Sequence, residues 1–301
     1  MIIDSHTHLL RSKYFDEERL GQLGWVTPPD TDINVMVDWW KQAGIDKMVC
    51  MGQSMERVWN TSFDNNEYVF ECYDKYPDFI IPFYSLEPID QANCFNQRVY
   101  DELEELLPKG VIKGVLLTPP YGQYKSNDKT AYPFYQLFQK QGVIVQYHHS
   151  AMDGCSHTFA PTKYAQMVDL NDVVMDFPKM KVVVEHLAYP QTEHLFTIMA
   201  NSDCIYADLA MAYDRSMTIA WDLVQAREYG VLDRIMFATD YVAYGQYPYS
   251  ENPVNELARW IDMVKNGFNE INKRCGWPLL TQEEIDGIMY KNVARLYDLD
   301  V

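Results

Sequence analysis

A single (β/α)8 barrel is the fold this sequence predicts, and three observations predict it. Eight short β-rich segments alternate with longer amphipathic ones, which implies parallel strands joined by helical crossovers. The length of 301 residues suits one such barrel, for which about 250 residues plus insertions is usual. Five of the seven histidines fall at or just beyond the ends of those β-rich segments, where barrels of this kind build their sites.

The elements follow in order. The first strand is expected over Met1 to Ser5, followed by a long loop from Leu9 to about Ile33 that is rich in charged residues, glycine and proline. Apolar runs then place strands at Asp46 to Met51, Phe79 to Ser85, Val111 to Leu117, Val143 to Tyr147, Lys181 to Glu185, Cys204 to Leu209 and Arg234 to Ala238. Helical periodicity falls between them at Asn34 to Ala43, Asn65 to Lys75, Cys94 to Leu107, Pro133 to Gln141 and Met217 to Tyr229. Gly44, Gly142 and Gly230 stand where helix C-caps are needed. Asn255 to Lys273 and Glu283 to Tyr297 read as closing helices. No Gly-x-Gly-x-x-Gly follows the first strand and no Gly-Lys-Ser/Thr loop occurs, so a dinucleotide fold or a P-loop loses its main support. Nothing resembles a linker or repeat, and one domain over residues 1–301 is expected.

Composition excludes several classes of function. Acidic residues outnumber basic ones by 43 to 25, for a formal net charge of −18, which repels nucleic acid and anionic membrane surfaces. No run approaches the ~18 apolar residues of a membrane span, and the N-terminal stretch lacks a signal peptide's basic flank and long apolar region. The expected location is the cytoplasm and the expected partner a small-molecule substrate, with homo-oligomer formation left open. The six cysteines are scattered without a Cys-x-x-Cys pair, as reduced thiols of such a compartment would be.

Candidate chemistry begins at Asp4-Ser5-His6-Thr7-His8. Side chains two apart on a strand share a face, so His6 and His8 can aim both imidazoles at one point, although alone such a pair also suits ordinary strand-end histidines. Their partners lie far away in sequence: His148 and His149 after the fifth strand, His186 after the sixth and Asp240 after the eighth. Closing the sheet would gather them around one mouth, with two or three imidazoles and a carboxylate in reach of one divalent cation. Glu185, adjacent to His186, should point away from it, leaving it helix-facing unless it supports a ligand.

These residues resemble the amidohydrolase superfamily, in particular its amidohydrolase-related branch, which includes aminocarboxymuconate semialdehyde decarboxylase. The likeness spans the chain: Asp4 to His8, Lys113-Gly114-Val115, His148, Glu185-His186-Leu187, Phe237-Ala238-Thr239-Asp240 and Lys291-Asn292-Val293-Ala294-Arg295-Leu296-Tyr297. It implies His6, His8, His148 and Asp240 as metal ligands and His186 as an acid/base, with His148 favoured over His149. Binuclear relatives bridge two metals from the end of the fourth strand; here Lys113 sits too early and Thr118-Pro119-Pro120 follows. One divalent ion is therefore expected, zinc first, with manganese or another divalent ion as alternatives.

Such a cation lowers the pKa of water to about 7 and polarises carbonyls, Asp240 would accept a proton, and His186 would orient substrate or deliver one. The expected function is a metal-dependent hydrolase acting on a small carboxylated, cyclic or unsaturated substrate. Non-oxidative decarboxylation is the close alternative, and a catalytically silent metal-binding barrel is a third reading. Arg57 stands as a carboxylate clamp, while Tyr189, Tyr241 and Tyr244 would wall the substrate, in company with Trp25 and Gln53. His157 is expected to be a solvated loop residue and His194 a surface residue on a helix.

Overall fold

The computed structural model describes residues 1–9, 11, 16, 18, 32–63, 66–149, 160–213, 215–242 and 252–300. Eight strands form the barrel wall: β1 (Ile3–His8), β2 (Lys47–Met51), β3 (Ile80–Leu86), β4 (Gly114–Leu117), β5 (Ile144–Tyr147), β6 (Val182–Val184), β7 (Ile205–Asp208) and β8 (Ile235–Met236). Consecutive strands pair in parallel from β1 to β8. The seam between β8 and β1 is bridged by Ser5 N donating to Phe237 O at 3.1 Å and Asp240 N donating to His6 O at 2.8 Å. Beyond it, the short strand Tyr241–Val242 pairs with Thr7 and His8.

Helices on the outer face fill the crossovers: α1 (Ile33–Gln42), α2 (Asn66–Lys75), α3 (Gln97–Leu106), α4 (Tyr132–Gln141), α5 (Met167–Asp176), α6 (Thr192–Ala200) and α7 (Ser216–Glu228), followed by α8 (Pro253–Asp262) and α9 (Phe268–Cys275). Sequence periodicity had not delimited α5, and α6 was anticipated only as the helix carrying His194. Each expected strand is present, but β1 runs on to His8 instead of stopping at Ser5, because its last residues pair with both β2 and the Tyr241–Val242 strand.

Two apolar layers hold the fold. The barrel interior contains Ile3, Val49, Met51, Ile81, Phe83, Leu116, Ile144, Val183 and Met236, plugged at one end by Val293, Ala294, Leu296 and Tyr297. The outer layer, between strands and helices, includes Trp40, Phe134, Phe138, Leu223 and Phe268. Complete burial of side chains this size stabilises the fold by about 1.5–3 kcal/mol each. Gly114 is dictated by this packing: a Cβ there would lie 2.2 Å from Phe83 Cζ.

The strand that carries the histidine pair is not regular. Asp4 pairs with Met48, yet Thr7 pairs with Cys50, so three steps along β1 match two along β2. That one-residue bulge reverses the alternation. Ile3 faces the interior, and residues an odd number of positions away should face outward in a regular strand; the bulge lets His6 and His8 face inward as well. Asp4 stays outside, where it accepts hydrogen bonds from Trp40 Nε1 at 3.0 Å and from Thr239 N and Oγ1 at 2.9 and 2.7 Å.

Candidate active site

Above the apolar interior the inward-facing positions turn polar. His6 and His8 come from β1, Gln146 and His148 from β5 and the residue after its neighbour, Glu185 and His186 from the end of β6, Asp208 from β7 and Asp240 from beyond β8. All are buried. His6 Nε2 is the hub: it lies 3.1 Å from His8 Nε2, 3.3 Å from Asp240 Oδ1 and 3.5 Å from Glu185 Oε1. Asp240 Oδ1 is also 3.1 Å from His8 Nε2. On its other side the His6 ring is anchored, with Nδ1 3.0 Å from Asp208 Oδ2.

His186 reaches the cluster through an uncommon backbone. His186, Leu187 and Ala188 have φ of 56°, 52° and 54°, a run of left-handed residues, and Asp240 adopts φ 55°. Each such non-glycine residue costs about 1–2 kcal/mol, and conformations of this kind concentrate at functional sites. The strain is offset in part by Asp208 Oδ1, which accepts from His186 N at 2.8 Å and Ala210 N at 3.1 Å. The His186 ring donates from Nδ1 to Ala210 O at 3.1 Å, leaving Nε2 facing Glu185 Oε2 at 3.6 Å and Asp240 Oδ2 at 3.9 Å.

The left-handed turn also corrects the expectation for Glu185. Alternation from the interior-facing Val183 points Glu185 inward, and the left-handed turn that follows brings His186 inward beside it. Glu185 bonds to His148 Nδ1 through Oε2 at 2.8 Å and accepts from Gln146 Nε2 through Oε1 at 3.0 Å. His148 thus joins the cluster through Glu185, and Tyr121 packs against its ring. His149 turns elsewhere, its Nε2 2.6 Å from Ser126 Oγ. Glu185, Asp208 and Gln146 were not singled out as site residues in the sequence; strand parity would have flagged Asp208, two positions beyond the inward-facing Tyr206.

Electrostatics decide what the cluster accepts. Burial by itself lowers the His6 pKa, but Glu185, Asp240 and Asp208 outweigh it and raise it to about 10. Burial likewise pushes Asp240 up, yet His6, His8 and His186 bring it down to about 2, and His6 and His148 hold Glu185 well below the usual carboxylate range. Three carboxylates thus focus on one ring, Glu185 and Asp240 on its Nε2 and Asp208 on its Nδ1. A divalent cation set against His6 Nε2 meets the field that otherwise retains a proton there, and the His8 Nδ1 atom, buried and without a hydrogen-bond partner, leaves its Nε2 turned to the same point. The donor set of imidazoles and carboxylates fits zinc or manganese.

The remaining expected residues lie elsewhere. The Arg57 guanidinium donates to Gly122 O and, at 2.7 Å, to Asn93 Oδ1, tying together the loops after β2, β3 and β4. Tyr189 stacks under Arg215, whose guanidinium carbon is 3.9 Å from the ring centroid. Tyr241 is buried edge-on against Trp40, at 5.0 Å between centroids. Gln53 belongs to a hairpin of Gln53–Met55 with Thr61–Phe63. Lys113 sits at the opposite end of β4, donating to Gly110 O at 3.1 Å. His194 is exposed on α6. Tyr244, Trp25 and His157 lie outside the described residues. Among the described residues no helix is long and apolar enough to cross a membrane.

The family model described as amidohydrolase matches residues 3–299. Among solved structures, an uncharacterised TIM-barrel protein from Bordetella bronchiseptica is similar with TM-score 0.70 and 20% identity, covering 99% of this chain and 98% of its own. A dihydroxybenzoic acid decarboxylase from Polaromonas with bound manganese gives TM-score 0.66 at 14% identity over 99% and 96% of the two chains. A probable 2-pyrone-4,6-dicarboxylic acid hydrolase from Acinetobacter baumannii gives 0.64 at 14% identity over 99% of both. These likenesses show the barrel fold. No curated protein matches the sequence.

Proposed function

The chain belongs to the amidohydrolase family, whose members are metal-dependent enzymes, and from that premise we propose that it is a metal-dependent hydrolase of a small organic substrate. His6, His8 and Asp240 hold one divalent cation, zinc or manganese, with His148 adjoining them. When bound, such a cation supplies a Lewis acid and lowers the pKa of water.

The observation that carries this reading is the placing of Asp240. Its Oδ1 faces both β1 imidazoles, while its Oδ2 faces His186 Nε2 across 3.9 Å. That gap is too long for a hydrogen bond and suits an intervening water or substrate atom. Asp240 takes the proton of the attacking water, and His186, its ring fixed by Ala210 O, delivers a proton to the leaving atom.

Decarboxylation is the second reading, favoured by His186 itself. Burial lowers its pKa, but Glu185, Asp240 and Asp208 outweigh burial and raise it, which favours the protonated ring as donor to a carbanion. Turnover of zinc- or manganese-loaded protein on lactones, amides and unsaturated carboxylates in oxygen-18 water separates the cases. Label in the product without carbon dioxide is the expected result. Carbon dioxide release establishes the second reading, and metal binding without turnover over the panel supports a silent barrel.

A further inference from the structure

We infer that Trp260 on α8 and Asn292 at the start of α10 (Asn292–Tyr297) are positioning residues that fix where Asp240 stands. The inference deepens the metal-dependent reading and rests on it. The ladder between β8 and β7 covers Ile235 and Met236, and the chain then runs on through Phe237, Ala238 and Thr239 to Asp240, which adopts φ 55°. A left-handed residue other than glycine persists only where its surroundings over-determine it. Here the peptide planes that lead to Asp240 are gripped at both edges. Met236 O accepts from Leu209 N at 3.0 Å, while Phe237 N donates to Ile288 O at 2.8 Å. In the plane joining Ala238 to Thr239, Ala238 O accepts from Trp260 Nε1 at 2.8 Å and Thr239 N donates to Asp4 Oδ1 at 2.9 Å. In the next plane, Thr239 O accepts from the Tyr213 hydroxyl and Asp240 N donates to His6 O at 2.8 Å. That last plane is the one against which φ of Asp240 is set.

Trp260 and Asn292 supply donors where the ladder supplies none. The Trp260 ring is buried and stands edge-on to Tyr213, with 5.0 Å between centroids, so one aromatic pair holds two consecutive carbonyls. Asn292 is buried as well, donating from Nδ2 to Ile235 O at 2.7 Å and to Leu232 O at 3.4 Å. The π-helical turn Gly287–Lys291 that precedes it presents Ile288 O to Phe237 N. The two side chains thus grip the segment at its start and shortly before Asp240. A buried carbonyl deprived of its donor pays the desolvation cost of an unmade hydrogen bond, and the peptide turns to recover a partner. Asp240 Oδ1 would then leave its place 3.1 Å from His8 Nε2.

Chelator competition for zinc, run beside urea unfolding of the intact protein, tests the assignment. Trp260→Phe keeps an aromatic ring but removes the Nε1 donor, and Asn292→Asp keeps the shape but turns an acceptor toward Ile235 O. Each should weaken zinc binding by about 10-fold or more, as loss of outer support does. Leu257→Ala, a buried truncation on the same helix as Trp260, should lower the urea midpoint yet leave zinc affinity within about twofold. Hydrogen exchange adds a measure that needs no metal: in both variants the Asp240 amide should lose more protection than the Val145 amide, which is bonded to Lys181 O in β5. Unchanged zinc affinity, or Asp240 protection that falls no further than that of Val145, removes the substituted residue from the role. A loss of affinity in Leu257→Ala as large as in Trp260→Phe reduces the effect to stability and overturns the inference. Where Asn292→Asp does not fold, Trp260→Phe decides. A parent protein that takes up no zinc defeats the metal-dependent function itself, and the exchange measurement then decides the positioning role alone.

Discussion

Asp208 Oδ2 lies 3.0 Å from His6 Nδ1, joining the end of β7 to the end of β1. The bond selects which His6 nitrogen faces the cluster, and the other oxygen of the same carboxylate holds the His186 amide. Replacing it with an amide keeps the shape but offers the ring a donor where it needs an acceptor. Asp208→Asn should weaken divalent-metal binding by about 10–100-fold, measured by titration calorimetry; unchanged affinity would remove Asp208 from the site.

Metal uptake should release a proton. With its pKa raised to about 10, the His6 ring is charged at pH 8 and must lose a proton to become a ligand, so about one proton should leave per ion bound. Calorimetry in buffers of differing ionisation enthalpy counts it. Uptake without proton release would contradict the charge state given to His6.

His6→Ala and Asp240→Ala should each abolish stoichiometric metal retention and metal-dependent turnover, because each removes a donor of the His6, His8, Asp240 set. His194→Ala, on the exposed face of α6, should change neither. Elemental analysis after gel filtration reads the first effect directly.

Burial pushes the Asp4 carboxyl up from 3.8 to about 6, against the hydrogen bonds from Thr239 and Trp40. The folded state therefore holds this proton more tightly than the unfolded chain. Its contribution is present in full below pH 4 and is lost as the pH rises through 6, amounting to about 3 kcal/mol at most. Denaturant unfolding from pH 4 to 7 should show a flatter profile for Asp4→Asn than for the parent, although losing an acceptor lowers stability at every pH.

Gly114→Ala should destabilise the fold by about 1–3 kcal/mol, since the added methyl meets the Phe83 ring inside the barrel. A midpoint unchanged in urea would show that Phe83 can move aside freely.

Much of the architecture was legible in the chain because strand and helix periodicity are local properties. The eight apolar segments and the glycines closing α1, α4 and α7 act through neighbouring residues alone; Gly44, Gly142 and Gly230 do adopt φ of 88°, 70° and 71°. The site was less legible at two points where backbone geometry departs from periodicity. The bulge in β1 reverses the facing of His6 and His8 relative to Ile3, and the left-handed run from His186 to Ala188 brings His186 inward beside Glu185, which alternation from Val183 already points inward.

By itself the sequence determined which residues end the barrel strands, and therefore that His6, His8, His148, His186 and Asp240 stand at one rim. Only the tertiary structure decided that His6 Nε2 is the point on which they converge, that Asp208 orients it and that Glu185 lies between His6, His148 and His186. The reason is physical. Facing along a strand follows from alternation within a few residues, whereas a bulge or a left-handed turn is held by contacts with strands far away in the chain, and those contacts exist only once the barrel has closed.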